Sequence, residues 1–432
     1  MANLTQIMMT LAGLAATGAT ERPSGETLEA QQQRILTGIN NQLANPNLAT
    51  GGAWRALWVG LTQDRGNLAY IAEGPPPMGG PRAFAVCLRG TVGGSPIDTA
   101  EDMNVGTLLP FEAGGLSQGK ISQGAMDAFT EIVMGTDLLD ALVGATLPVS
   151  PDAGTTVYVT GHSLGGALAT TVSLYLAAQS FRWGVFPPAF QVYTFAAPTA
   201  GEGGFAKQFN VRFPDATCVY NYYDLVPYAW ANLNSIYDDP TKNPFYPGPK
   251  ANPAGPGPTA SLANEIGQLI KGIAAKTKDN QYVQPTRQSP LNFPITSFQT
   301  YPSQGYSSME EFMIQVGYQH SNNNYLKLLG APLLPPVSPV VKSLNPASGQ
   351  GGTPVTITPG DGTLFSSDCA VDFGVVPATA VTVAPDGSSI TAVAPPGAGS
   401  VDVRVTNFYE TSPSVPSQEF PTYNDRFSFT PI

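Results

Sequence analysis

The 432-residue sequence has little charge, few cysteines and almost no histidine: 12% of its residues are charged, three are Cys and two are His. Each shortage excludes something. Cys87, Cys218 and Cys369 cannot build a disulfide framework, and two of them lie within apolar strand-like runs, where a small buried thiol is the expected state. With 20 basic residues against 31 acidic ones the net charge is −11, and no Lys/Arg cluster stands out, which excludes nucleic acid as the expected partner. No apolar run approaches the length of a membrane span. The apolar stretch from Met8 to Ala16 has no basic residue before it, the first being Arg22, so the charged n-region of a signal peptide is missing and an amphipathic first helix is expected instead.

What the chain does have is apolar residues (42%), 46 Gly and 41 Pro, the composition of a globular protein rich in turns. Its length suggests two domains. Ser24 to Leu43 reads as a helix with cap-like chemistry at its start. Trp54–Thr62 and Asn67–Glu73 read as a hairpin, and Ala83–Leu88 as a third strand. Helices around Gly124–Met134 and Gly165–Ala178 then alternate with strands Thr155–Thr160, Phe190–Phe195 and Thr217–Tyr222, the signature of a mostly parallel sheet covered by helices. From Val226 to Gln315 the pattern loosens, apart from an amphipathic stretch, Ser261–Lys276, that reads as a helix packed on the domain or as part of a substrate-facing wall. A Pro-rich linker, 331–339, separates residues 1–330 from a tail, 340–432, whose short β-rich runs and Gly/Pro/Asp/Ser turns predict a sandwich.

The pattern G-x-S-x-G occurs twice. Gly115-Leu116-Ser117-Gln118-Gly119 follows Leu109–Gly114, which has neither strand length nor β-branched content, and is read as a decoy. Gly161-His162-Ser163-Leu164-Gly165 follows the strand and opens the helix that a nucleophile elbow needs. There glycines let strand and helix approach closely, and the serine hydroxyl projects from a sharp turn. The backbone N–H of Leu164, at the positive end of the helix, can donate to a developing oxyanion.

A serine hydroxyl needs a base. His162 adjoins the nucleophile and is expected to pack beside the elbow, which leaves His320. In this sheet type the acid falls between nucleophile and base in the chain, and Asp224, closing the strand that starts at Thr217, fits better than Asp215, Asp238 or Asp239. Leu88-Arg89-Gly90-Thr91 supplies a second donor: Thr91 offers its backbone N–H and hydroxyl, while Arg89 reads as a residue that fixes the loop.

These residues resemble the motifs of the fungal-type class 3 triacylglycerol lipases. Leu88–Thr91 resembles the oxyanion loop, Val159–Ala169 the nucleophile segment, and Val192–Phe195 with Pro198 and Gly201 the strand after it. Asn221, Asp224, Val226 and Pro227 match the acid motif, and Gly317, Tyr318 and His320 the histidine motif. Ala196–Thr199 lacks the Gly and Arg often found there, and Ser122–Ala125 lacks the usual His and Phe. The resemblance implies an α/β-hydrolase domain with helices on both faces of the sheet and a Ser163–Asp224–His320 triad. It implies Thr91 and Leu164 as the oxyanion hole, no cofactor or metal, and a lipid ester substrate met at a lipid–water interface. A phospholipase A1 or a feruloyl-type esterase would use the same scaffold. The family's lid slot falls on Val92–Gln118. The tail resembles an IPT/TIG immunoglobulin-like domain through Leu344–Gly349, Gly351–Ile357, Val371–Gly374 and Ala394–Gly397; its partner is not specified by these motifs. An adhesion-like tail favours secretion, against the cytoplasmic location that a missing leader suggests.

Overall fold

The computed structural model describes residues 2–16, 27–62, 67–75, 83–90, 104–147, 155–221, 224–233, 260–285, 288–291, 309–334, 341–360, 365, 369–374, 376–406 and 425–430. They fall into two compact units, one within Met1–Ala15 and Glu26–Leu333, the other within Ala16–Gly25 and Leu334–Ile432.

In the first unit, strands β1 (Arg55–Leu61), β2 (Leu68–Gly74) and β3 (Ala83–Leu88) pair antiparallel. A separate hairpin, β4 (Leu108–Ala113) and β5 (Leu116–Ser122), follows. Strands β6 (Thr156–His162), β7 (Ala189–Phe195), β8 (Thr217–Asn221) and β9 (Gln288–Leu291) then extend the sheet in parallel, in the order β1-β2-β3-β6-β7-β8-β9. The central strands β3 and β6 are almost wholly buried, as expected for near-continuous apolar runs covered on both faces.

Helix α1 (Leu4–Leu14) differs from the amphipathic expectation: every residue from Met8 to Leu14 is buried. A helix apolar all round belongs inside a fold. Tyr70 and Thr160 hydroxyls donate to its Leu11 and Met8 carbonyls, and Gln6 Nε2 donates to the Leu329 carbonyl at 2.8 Å. Helix α2 spans Leu28–Leu43 with Thr27 as its cap, Oγ1 accepting from the Ala30 N–H; Ser24 lies outside the described residues. Helices α3 (Gln123–Met134), α4 (Leu138–Thr146), α5 (Leu164–Ala178) and α6 (Gly203–Arg212) follow. Val86, Val159, Leu168, Val172 and Ile132 are among the residues of the main core.

The Leu109–Gly114 segment corrects the sequence reading. Leu109–Ala113 is strand, joined to β5 by a two-residue loop, Gly114-Gly115, with both φ positive (60° and 74°). Consecutive left-handed glycines suit a two-residue hairpin loop and supply the strand signal that β-branched content does not. Phe111 anchors it, edge-on to Phe129 at 5.1 Å and Phe205 at 5.9 Å.

Helix α7 (Ala260–Ala275) buries Leu262, Ile266, Ile270 and Ile273 in a second core. Phe312 and Val316 of helix α8 (Met309–His320) and Trp230 share that core. Helix α9 (Asn322–Leu328) follows at once, capped by Ser321 Oγ.

Among the described residues of 341–430 the regular elements are strands. Val341–Asn345, Pro354–Pro359, Ile390–Val393 and Val381–Val383 form one sheet, and Ser348–Gly349, Arg426–Phe429, Ser400–Thr406, Ala370–Phe373 and Val376–Pro377 another. Both sheets contribute to one core, including Val355, Ile357 and Ile390 from the first and Val371, Val403 and Phe427 from the second. Two sheets around a shared apolar core make a sandwich.

Candidate active site

The site forms where β6 ends and α5 begins. Ser163 takes φ 59° and ψ −132°, a conformation costing a non-glycine residue about 1–3 kcal/mol. The neighbouring glycines make this turn possible. A Cβ on Gly161 would lie 2.1 Å from the Gly165 carbonyl oxygen, and one on Gly165 would lie 2.2 Å from that of Leu88. The Ser163 N–H donates to the Phe195 carbonyl at 2.9 Å, tying the elbow to β7. Leu164 is the first residue of α5, so its N–H belongs to the four that a helix N-terminus leaves without an intrahelical acceptor.

His320 ends α8. Its Nε2 lies 2.7 Å from Ser163 Oγ and its Nδ1 lies 2.8 Å from Asp224 Oδ2. Asp224 is completely buried. The Val226 N–H donates to its Oδ1 at 3.0 Å, and the Tyr325 hydroxyl donates to Oδ2 at 2.8 Å. A buried carboxylate needs such partners, since an unpaired charge in the interior costs several kcal/mol. A serine hydroxyl so placed can pass its proton to an imidazole whose far nitrogen is held by a carboxylate.

Tyr325 was not singled out by the sequence. Burial and the Asp224 charge push its hydroxyl well above the ordinary tyrosine range, so it remains a donor, and it also accepts the Asn221 N–H at 2.8 Å. Asn221 Nδ2 in turn donates to Gln319 Oε1 at 2.8 Å, joining the end of β8 to the residue before His320.

His162 packs on His320: the two imidazole centroids are 4.7 Å apart at 42°, and the Tyr325 ring stands edge-on to His162 at 5.3 Å. Burial, then the proximity of His320, holds its pKa well below the usual histidine value, opposed by a hydrogen bond to the His320 backbone.

Of the oxyanion loop, Gly90 is described and Thr91 is not. A Cβ on Gly90 would lie 2.9 Å from the His162 carbonyl oxygen and 3.0 Å from Ser163 Cβ, so the loop begins directly against the elbow. Arg89 is buried, which lowers its guanidinium to about 10. Of the expected lid slot, Val92–Met103 lies outside the described residues, and 108–118 belongs to the β4–β5 hairpin. Ser117, the serine of the other G-x-S-x-G, sits second in β5, which runs on to Ser122 before a helix begins, so the serine is not at a strand-to-helix turn. Among the described residues no cluster of His, Cys, Asp and Glu could hold a metal ion.

An elbow serine feeding a buried His–Asp pair on a mostly parallel sheet is the arrangement of a serine hydrolase on the α/β-hydrolase fold. Residues 85–233 match the family described as Lipase (class 3), and with the fold this makes the protein a carboxylic ester hydrolase of the lipase type. Its sequence matches no curated protein. The crystal structure of M37 lipase is 22% identical, with a TM-score of 0.56 over 76% of this chain and 92% of that one, and shares the fold. A lipase from Rhizopus microsporus var. chinensis is 19% identical over 52% of this chain and 68% of its own, with a TM-score of 0.34. A triacylglycerol lipase whose catalytic centre is formed by a serine protease triad is 20% identical over 53% and 76%, with a TM-score of 0.37. The last two superpose too loosely to carry an argument.

Proposed function

We propose that this protein hydrolyses lipid esters, triacylglycerol foremost, through an acyl-enzyme on Ser163. His320 removes the hydroxyl proton as the ester carbonyl is attacked and returns it to the leaving alcohol. The cycle repeats with water to release the acid. Asp224 orients His320 and offsets the charge of the imidazolium. The Leu164 N–H and Thr91 stabilise the oxyanion of each tetrahedral intermediate. The observation that carries the reading is the hydrogen-bonded chain from Ser163 Oγ through His320 to Asp224 Oδ2, with separations of 2.7 and 2.8 Å.

On this reading residues 1–330 are the hydrolase domain, 331–339 a linker and 340–432 an IPT/TIG-like domain, supported in the tail by the two-sheet core. Within the Val92–Gln118 slot Val105 and Phe111 are packed in the cores, which leaves Ile97 and Met103 as the apolar residues suited to a lid that covers the site in water and turns outward at a lipid surface. The test is hydrolysis of emulsified triacylglycerol beside p-nitrophenyl esters of rising chain length. Turnover of the emulsion, with a rate that climbs as substrate passes its solubility limit, is the expected result. Cleavage of short soluble esters alone would overturn the lipid-ester reading.

A further inference from the structure

His320 is the last residue of α8, where helices fray, yet its Nε2 has to stay within hydrogen-bond reach of a serine on another element. The carbonyls of a last helical turn find no donor within their own helix. The Gln319 backbone carbonyl is one of them, and it accepts from Nδ2 of Asn221 at 3.1 Å and from Nδ2 of Asn324 at 3.3 Å. The same two amides reach the Gln319 side chain: Oε1 accepts from Asn221 at 2.8 Å and from Asn324 at 3.3 Å. Asn221, Gln319 and Asn324 are all buried. Asn221 ends β8, just ahead of Asp224, and Asn324 lies in α9 beside Tyr325, whose hydroxyl accepts the Asn221 N–H and donates to Asp224.

Resting on the triad reading above, we propose that Gln319 is a positioning residue: its backbone and side-chain carbonyl oxygens, clamped between Asn221 and Asn324, fix the last turn of α8 and so hold His320 within reach of Ser163. Ser163 and His320 are 157 positions apart, so no local geometry sets their separation. The clamp joins the strand that leads into Asp224, the helix that carries His320 and the helix that carries the tyrosine bound to Asp224. Packing alone does not account for three buried amides. Apolar side chains of like size would fill the space, and a buried amide costs free energy unless it is hydrogen-bonded. A satisfied polar network, by contrast, holds one geometry against its alternatives.

The experiment compares wild type with Gln319→Met, Gln319→Glu and Asn324→Leu, using p-nitrophenyl butyrate turnover and the rate at which a fluorophosphonate labels Ser163. Methionine matches the length of glutamine without its acceptor, glutamate keeps an acceptor for both amides, and leucine at 324 removes one of the two donors. All are assayed at a temperature where circular dichroism shows them folded. Misplacing the base by a fraction of an ångström should lower kcat and labelling rate in Gln319→Met by about 10- to 100-fold, with KM within about twofold. Asn324→Leu should lose about 3- to 10-fold, and Gln319→Glu should stay within about fivefold of wild type. Wild-type kcat in folded Gln319→Met, or equal loss in Gln319→Glu and Gln319→Met, would overturn the proposal. So would wild-type kcat in Asn324→Leu, the variant that decides the matter should Gln319→Met not fold. Retained activity in Ser163→Ala would sink the triad reading itself, a result separable from these.

Discussion

The Tyr325 hydroxyl and the His320 imidazole share one acceptor: both lie 2.8 Å from Oδ2 of Asp224. Asp224 is therefore oriented from two sides, by the His320 imidazole and by a tyrosine on the next helix. Replacing Tyr325 by phenylalanine removes a donor from Asp224 and leaves the Asn221 N–H buried without its acceptor. The expected loss is about 1–3 kcal/mol of stability, read from denaturant unfolding, with a fall in kcat and little change in KM. Unchanged stability would mean that water or a backbone shift replaces the hydroxyl.

The elbow glycines should tolerate no side chain. A Cβ on Gly161 or Gly165 meets backbone atoms at 2.1–2.2 Å, so Gly161→Ala and Gly165→Ala should yield inactive, destabilised protein. Gly144, in the last turn of α4, has open space where its Cβ would go. Gly144→Ala should raise stability by about 0.5–1 kcal/mol and leave activity unchanged. Thermal melts of the three variants check both halves of this contrast.

Folding stability should fall on mild acidification, in part through His162. Its pKa is depressed in the folded state from an ordinary value of 6.5. The unfolded chain therefore binds a proton that the native state refuses once pH drops below that value. The contribution is complete above about pH 6.5 and is lost as pH falls, at up to about 1.4 kcal/mol per unit. His162→Phe should flatten this part of the stability profile; an unchanged slope would assign it to other groups.

The thiols of Cys87 and Cys218 are buried, and burial pushes both upward from the ordinary thiol range. A thiolate is the reactive form. Native protein should therefore leave both unmodified by Ellman's reagent over minutes, and guanidinium should release them. Rapid labelling of the native protein at either position would contradict the packing of β3 or β8.

Much of this was legible beforehand because the central strands are short apolar or β-branched runs bounded by turn residues: Ala83–Leu88 was bounded as observed, and Thr155–Thr160 fell within β6 apart from its first residue. The elbow was legible because strand, glycines and helix occur in one short stretch. Other elements depend on tertiary packing. Helix α6 opens with two glycines and is held by buried Phe205, Ala206 and Phe209; α4 has no side-chain capping bond. Strand β9 is four residues long, contains Pro290 and lies at the sheet edge, where proline is tolerated. Tyr325 stands 101 positions from Asp224, and no local pattern among 17 tyrosines marks it. The ring contact between His162 and His320 is remote in sequence too, so adjacency to Ser163 suggested position without revealing that contact.

The proposed reaction requires Ser163 as the nucleophile and His320 as its base. The most direct test is p-nitrophenyl ester hydrolysis by wild type, Ser163→Ala, His320→Ala and Ser117→Ala. The expected outcome is that Ser163→Ala and His320→Ala each lose activity by about 10⁴-fold or more while Ser117→Ala matches wild type. An inert wild type, or loss in Ser117→Ala with activity kept in Ser163→Ala, would contradict it.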